Sequence, residues 1–319
     1  GGSNRGDGHY IMDRTSSTRA LTGLKASSGG GGTYMLQKRP DSGVIGGVSS
    51  TSNINTSIFD LINYRRDRGD SYDLFLNGTL EGSVIDTDGD LTPPTPRIGR
   101  HARVEDNGLN GYIAEMMGFS IDLNDAQINI VNSYLAAKYA LTIANDKYSH
   151  DGSHETDVAG IGREDASNQH VDAQSAGILA VNTPSSLDDG DYLLFGHDNG
   201  AINAWTSTEI PSTGNVIKRL VREWRFDETG DVGTIKFTLD TALLPAKPSS
   251  NDEYALLVDA DGDFSNGAAV YEMNSPGNNS FYETAANIAI ADGDYVAISI
   301  THQPMLITVN TALGLTVDI

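Results

Sequence analysis

Apolar and polar residues alternate along most of this chain in short runs broken by Gly, Asn and Asp, the pattern of half-buried strands joined by tight turns. In the first third the strand-like runs are YIMDRTSSTR (10–19), TYMLQKR (33–39), SIFDLINYRR (57–66) and YDLFLNGTLEGSVI (72–85), followed by PRIGRH (96–101) and LNGYIAEMMGFS (109–120). Asn77-Gly78 divides the fourth run into YDLFL and TLEGSVI, the strongest short-range hairpin signal. Pro93, Pro94 and Pro96 mark a loop. The set predicts an antiparallel sandwich.

The period changes once. In NDAQINIVNSYLAAKYALTIA (124–144) apolar residues fall at Ile128, Val131, Leu135 and Tyr139, with Tyr134 and Leu141 beside them, which is helical spacing with one buried face. Asn124 followed three residues later by Gln127 spells a capping box. After polar residues 145–156, strand-like runs resume at 177–182, 192–197, 218–227, 233–240, 254–259, 268–273 and 294–300. The fold class expected is therefore mostly β: two antiparallel β-sandwiches joined by one amphipathic helix. The divisions are a sandwich over 1–122, a connecting helix over 123–146, an acidic β-sandwich over 147–302, and the start of a further module over 303–319.

Composition sharpens this picture. The 319 residues include 35 Gly and no Cys, with 38% hydrophobic and 20% charged residues, so disulfides, thiolate metal sites and cysteine nucleophiles are excluded. The net charge of −22 is uneven: residues 1–119 carry 12 Lys/Arg against 14 Asp/Glu, residues 120–319 carry 9 against 29. Such a surface repels nucleic acid and anionic membranes and tolerates divalent cations. No apolar run approaches the roughly eighteen residues of a membrane span. The opening GGSNRGDG lacks Met, and the tail QPMLITVNTALGLTVDI (303–319) restarts a strand pattern, so a segment of a longer protein is expected.

Candidate chemistry is sparse. Asp259, Asp261 and Asp263 alternate in VDADGDFSNG (258–267), and Asp86, Asp88 and Asp90 repeat the pattern in DTDGDL (86–91). Calcium takes about six to eight hard oxygens, which alternate carboxylates in a tight loop can supply, so these six residues are the expected metal ligands. An EF-hand loop is excluded, since Phe264 and Val270 stand where Gly and Glu are needed. The plainer reading is a hairpin turn made by Asp-Gly, with Phe264 returning to the core. His150 and His154 are four apart with Asp157 near, but Gly152-Ser153 between them breaks a helix, so the reading is a solvated loop rather than a zinc pair. Paired glycosidase acids are missing: Glu155-Thr156-Asp157 has no second Glu, and Glu115 is alone, so no catalytic residue is assigned. Trp224 in REWRFD reads as core, whereas Trp205, after HDNG, is the candidate ligand-binding, sugar-stacking surface. Arg5-Gly6-Asp7 and Arg68-Gly69-Asp70 spell an adhesion tripeptide and are read as coincidence.

The stretch LNGYIAEMMGFSIDLNDAQINIVNSYLAAKYALTI (109–143) resembles the end of laminin-G/concanavalin-like sandwiches, in Asn110-Gly111-Tyr112-Ile113-Ala114-Glu115 and the polar cap Asn124. LFLNG (74–78) and RIGRH (97–101) resemble strands of that family. DVAGIGREDAS (157–167), LLFGHDNG (193–200), REWRFDETGDVGTIKFTLD (222–240) and LLVDADGDFSNGA (256–268) are similar to an acidic β-module that follows such sandwiches in large bacterial cell-surface proteins exported by the type IX system. The resemblance implies a jelly-roll first domain and an extracellular, non-enzymatic structural or adhesive segment; the alternating aspartates add the expectation that calcium stabilises it. Its implied partners are other copies or modules of the same surface protein, as a homo-oligomer or filament, or glycans and cell-surface ligands. The competing expectation is a carbohydrate-binding module attached to a secreted enzyme.

Overall fold

The computed structural model describes residues 8–14, 23–27, 32–38, 46–55, 57–87, 96–99, 109, 111–277 and 280–302. The chain is mostly β, with antiparallel sheets and a single helix among these residues. Among the described residues no helix is long and apolar enough to cross a membrane. The expected further module at 303–319 lies outside the described residues, as does Arg5-Gly6-Asp7.

In the first region one sheet runs in the order Gly46–Asn53, Thr33–Lys38, Gly23–Ser27, Gly8–Arg14, Pro96–Ile98. A second is the meander Ile62–Asp67, Ser71–Leu76, Thr79–Ile85. Tyr34, Leu74 and Leu76 are buried together, with Val48, Ile54 and Ile62 against them. The hairpin turn falls where Asn77-Gly78 predicts it, both residues having positive φ (48° and 79°), which gives the turn the twist of its strands. Arg68-Gly69-Asp70 forms the exposed turn before Ser71–Leu76. The strand expected over 109–120 is not formed. Residues 111–120 have no strand beside them among the described residues, and Tyr112, Met116, Met117 and Phe119 stay exposed.

The second region is one long antiparallel path that curls until it nearly closes. Its order is Gln169–His170, Thr156–Arg163, Tyr192–His197, Val216–Thr229, Tyr295–His302, Asp252–Asp259, Ala269–Asn274, Phe281–Thr284, Thr234–Asp240, Leu179–Asn182, Asp172–Ser175. The two ends approach, and Ser175 Oγ donates to the Asp157 carbonyl at 2.8 Å. Inside, Phe195 and Phe226 stack at 4.9 Å, and Phe237 meets Phe226 edge-on at 5.7 Å. Trp224 is fully buried, as its alternation predicts, and its Nε1 donates to Ser175 Oγ at 3.2 Å. The strand Thr156–Arg163 escapes a sequence reading because Gly160 and Gly162 weaken its pattern. Those glycines are required by close packing: a Cβ at Gly162 would lie 2.1 Å from the Tyr192 ring, and one at Gly160 would lie 2.6 Å from Leu194.

The helix Asp125–Tyr139 begins at the predicted cap: Asn124 accepts from the Gln127 N–H and Gln127 answers the Asn124 N–H. It stops five residues before the apolar pattern does, at Ala140 in the left-handed region (φ 50°). Tertiary pairing decides this, since the Ala144 N–H donates to the carbonyl of Asn77 in the hairpin turn at 2.8 Å. The helix also has two buried faces where the sequence predicts one. Ala126, Ile130 and Ala137 pack on Val158, Tyr192 and Leu194, the outer face of the second sandwich. About two residues of helix correspond to half a turn, so Ile128 and Leu135 are buried on the opposite side. That side is the one the first region reaches: Arg65 pairs with Asp125, and Glu115 bonds Lys138 and Tyr139 at 2.9 Å each.

Candidate functional site

The alternating aspartates of the second region sit between strands Asp252–Asp259 and Ala269–Asn274. Asp259 Oδ1 accepts from the N–H groups of Asp261 and Gly262 at 2.9 and 2.8 Å. Asp261 Oδ1 accepts from the Asp263 N–H at 2.9 Å, and Asp263 accepts from the N–H and Oγ of Ser265 and from Asn266. Each carboxylate thus caps a turn of backbone two or three residues on, the local bonding for which Asp is favoured in turns. Bonds from Ser265 hold the Asp263 carboxyl below its ordinary pKa, whereas burial raises that of Asp259. Phe264 is fully buried against Val216, Leu257, Ala268 and Ala297, so the returning aromatic anchors the turn.

The other expected acidic loop divides. Asp86 is buried and its Oδ2 takes Arg66 Nε at 2.7 Å and the Gly69 N–H at 3.2 Å. Its carboxylate is committed to an ion pair that closes the turn at 68–70. Asp88 and Asp90 lie outside the described residues. Trp205 is not in a loop but in the short strand Trp205–Thr206, paired with Leu220 and Arg219. Its ring lies 6.3 Å from that of Tyr254, and its Nε1 donates to the Ala246 carbonyl at 2.9 Å. It flanks the core, half-buried, rather than standing out as a flat platform.

The two histidines of the loop after the helix part company. His154 turns inward, is buried edge-on to Tyr295 at 5.4 Å, and bonds Ser153 through Nδ1. Burial lowers its pKa. His150 instead lies with Nε2 3.1 Å from the Phe226 carbonyl and its ring edge-on to Tyr148 at 5.8 Å. Asp157, the third member of that sequence cluster, goes elsewhere, to Nε2 of buried His197 at 3.3 Å. Burial, then Arg222, lowers the pKa of His197.

Among the described residues, one group of three potential metal donors converges: a ring nitrogen of His150 and a carboxylate oxygen each of Asp227 and Asp292 lie within 4.8 Å of one another. Beside it opens a cavity of about 160 Å³ lined by Asp146, Lys147, Tyr148, Ser149, Asp227 and Thr229. Organic-ligand pockets run to about 300–1,000 Å³, so this space is too small for a sugar chain. Sequence reading stops at His150 because its two companions are distant in sequence, Asp227 within the long strand Val216–Thr229 and Asp292 in the turn before Tyr295–His302.

No curated protein matches the chain. A family model described as Domain of unknown function (DUF8202) matches residues 127–294, which takes in most of the helix, every strand from Thr156–Arg163 to Ile288–Ala289, and the acidic turn at 259–263. The match covers more than half of the sequence and treats the helix and the second sandwich as one unit, as their packing does, and the chain belongs to this domain family.

Proposed function

We propose that this chain is a non-enzymatic structural or adhesive segment of a large secreted or cell-surface protein. One observation carries the reading: the helix between the two β regions is clasped on both faces, by Val158, Tyr192 and Leu194 on one side and by ion pairs from Arg65 and Glu115 on the other. A tether between independent domains leaves its surface to water; this helix instead fixes the two β regions against each other. The resemblance of 109–143 to laminin-G-like sandwiches supports an extracellular setting.

The test is homotypic clustering of beads coated with the full chain, run beside a glycan array and polysaccharide hydrolysis assays. Clustering without hydrolysis is expected. Glycan binding abolished by Trp205→Ala would favour a carbohydrate-binding module instead. Turnover lost on changing a single Glu or Asp would overturn the non-enzymatic reading.

A further inference from the structure

The geometry points to a divalent transition-metal site made by His150, Asp227 and Asp292, with zinc as the class of ion it takes. The three residues come from separate parts of the fold: the loop after the helix, the long strand Val216–Thr229, and the turn entering Tyr295–His302. Their donor atoms nonetheless converge within 4.8 Å. An imidazole nitrogen with two carboxylate oxygens suits zinc, which accepts mixed N/O ligands in a compact shell, better than calcium, which seeks oxygen alone.

The donors are held in place by neighbours. Asp227 is buried, and its Oδ2 accepts from both the backbone N–H and the Oγ of Ser149, the residue before His150 (2.7 Å for the hydroxyl). Asp292 Oδ1 accepts from the Glu228 N–H at 3.2 Å. The Phe226 carbonyl and the Tyr148 ring fix the plane of His150. Such second contacts, which orient ligands before the ion arrives, accompany protein metal sites generally.

Charge at this end of the sandwich favours a cation. Among the described residues no lysine or arginine forms an ion pair with Asp227 or Asp292; Arg225 lies over the Tyr295 ring at 4.8 Å and bonds the Gly293 carbonyl, and Lys147, on the cavity wall, lies over the Tyr192 ring at 4.6 Å. Glu228 and Asp294 add further carboxylates near Asp292. Asp292 is exposed, so the group is open to solvent on that side. A metal here would bind the loop that follows the helix to two strands of the sandwich, closing the helix onto its domain.

The experiment is titration of chelator-treated full chain with zinc by calorimetry, with cobalt(II) as a spectroscopic probe and calcium in parallel. One zinc per chain, a rise in melting temperature, and a visible cobalt absorption band are expected. Asp292→Asn, an exposed and conservative change, and His150→Gln should each weaken zinc at least about tenfold and abolish the cobalt band. Asp261→Asn with Asp263→Asn should change neither. Unaltered zinc affinity in the His150 and Asp292 variants, no stoichiometric binding, or calcium stabilising as much as zinc would each overturn the assignment. Circular dichroism of the metal-free variants establishes that they fold; a cobalt band that survives in a folded Asp292→Asn chain counts against the site.

Discussion

The two β regions share one alternation of apolar and polar residues but close it to different extents. In the second, Phe195, Trp224, Phe226, Phe237, Leu256 and Ile298 are wholly buried between layers that run into one another. In the first, Ile58, Phe59, Leu80 and Ile85 remain exposed, and Tyr112 is 91% exposed. Alternation makes a strand, but burial needs a facing layer of matching width. The second region supplies its own. The first rests partly on the helix, through Arg65, Glu115 and the Asn77–Ala144 hydrogen bond.

The sharpest way to break this comparison is to separate the halves. A fragment of residues 123–302 should keep a single cooperative thermal transition, and residues 1–122 alone should lose theirs and bind a hydrophobic dye. A cooperative melt of the smaller fragment would show that the helix is dispensable to it. Within the second region, Trp224→Ala removes the largest core side chain and its bond to Ser175, and should cost about 3–5 kcal/mol in denaturant unfolding. Leu135→Ala, on the helix face turned to the first region, should cost about 2–3 kcal/mol, the lower part of the range for buried leucine.

Asn132 shares that face, is 1% exposed, and neither of its side-chain polar atoms has a hydrogen-bond partner. Asn132→Leu should therefore stabilise the chain by about 1 kcal/mol, since a buried amide without partners costs desolvation that leucine does not incur. Chemical denaturation with unchanged or lower stability would mean that this face is wetter than it looks.

The smallest effect is pH dependence. Burial lowers the pKa of His154 and His197 in the fold, so the unfolded chain takes up protons first as pH falls. Stability from these groups is present above about pH 6.5 and is lost as pH drops through their folded values. The melting temperature of the second region should fall between about pH 7.5 and about pH 5.5, and His154→Leu should make the slope shallower.

What the sequence made legible is what it encodes locally. Asn77-Gly78 forms its turn, Asn124 and Gln127 form their capping box, and Trp224 lies in the core because each depends on residues within a few positions. Asp86 resisted reading because its partner, Arg66, belongs to another strand of the meander. Trp205 looked free because nothing nearby in sequence announces Tyr254 or Ala246. The convergence of His150 with Asp227 and Asp292 needs three segments to be placed, and no spacing rule reaches across them.

The strand Tyr295–His302 lies in the middle of its sheet, between Val216–Thr229 and Asp252–Asp259, although it is the last described strand of the second region in sequence. A ribosome delivers it after everything it must hold apart and join. Until residue 302 emerges, the two neighbours present open edges to each other and to anything else in solution. The domain must therefore wait for its end before it can form, and nascent chains stalled just short of that strand should be the ones that chaperones hold longest.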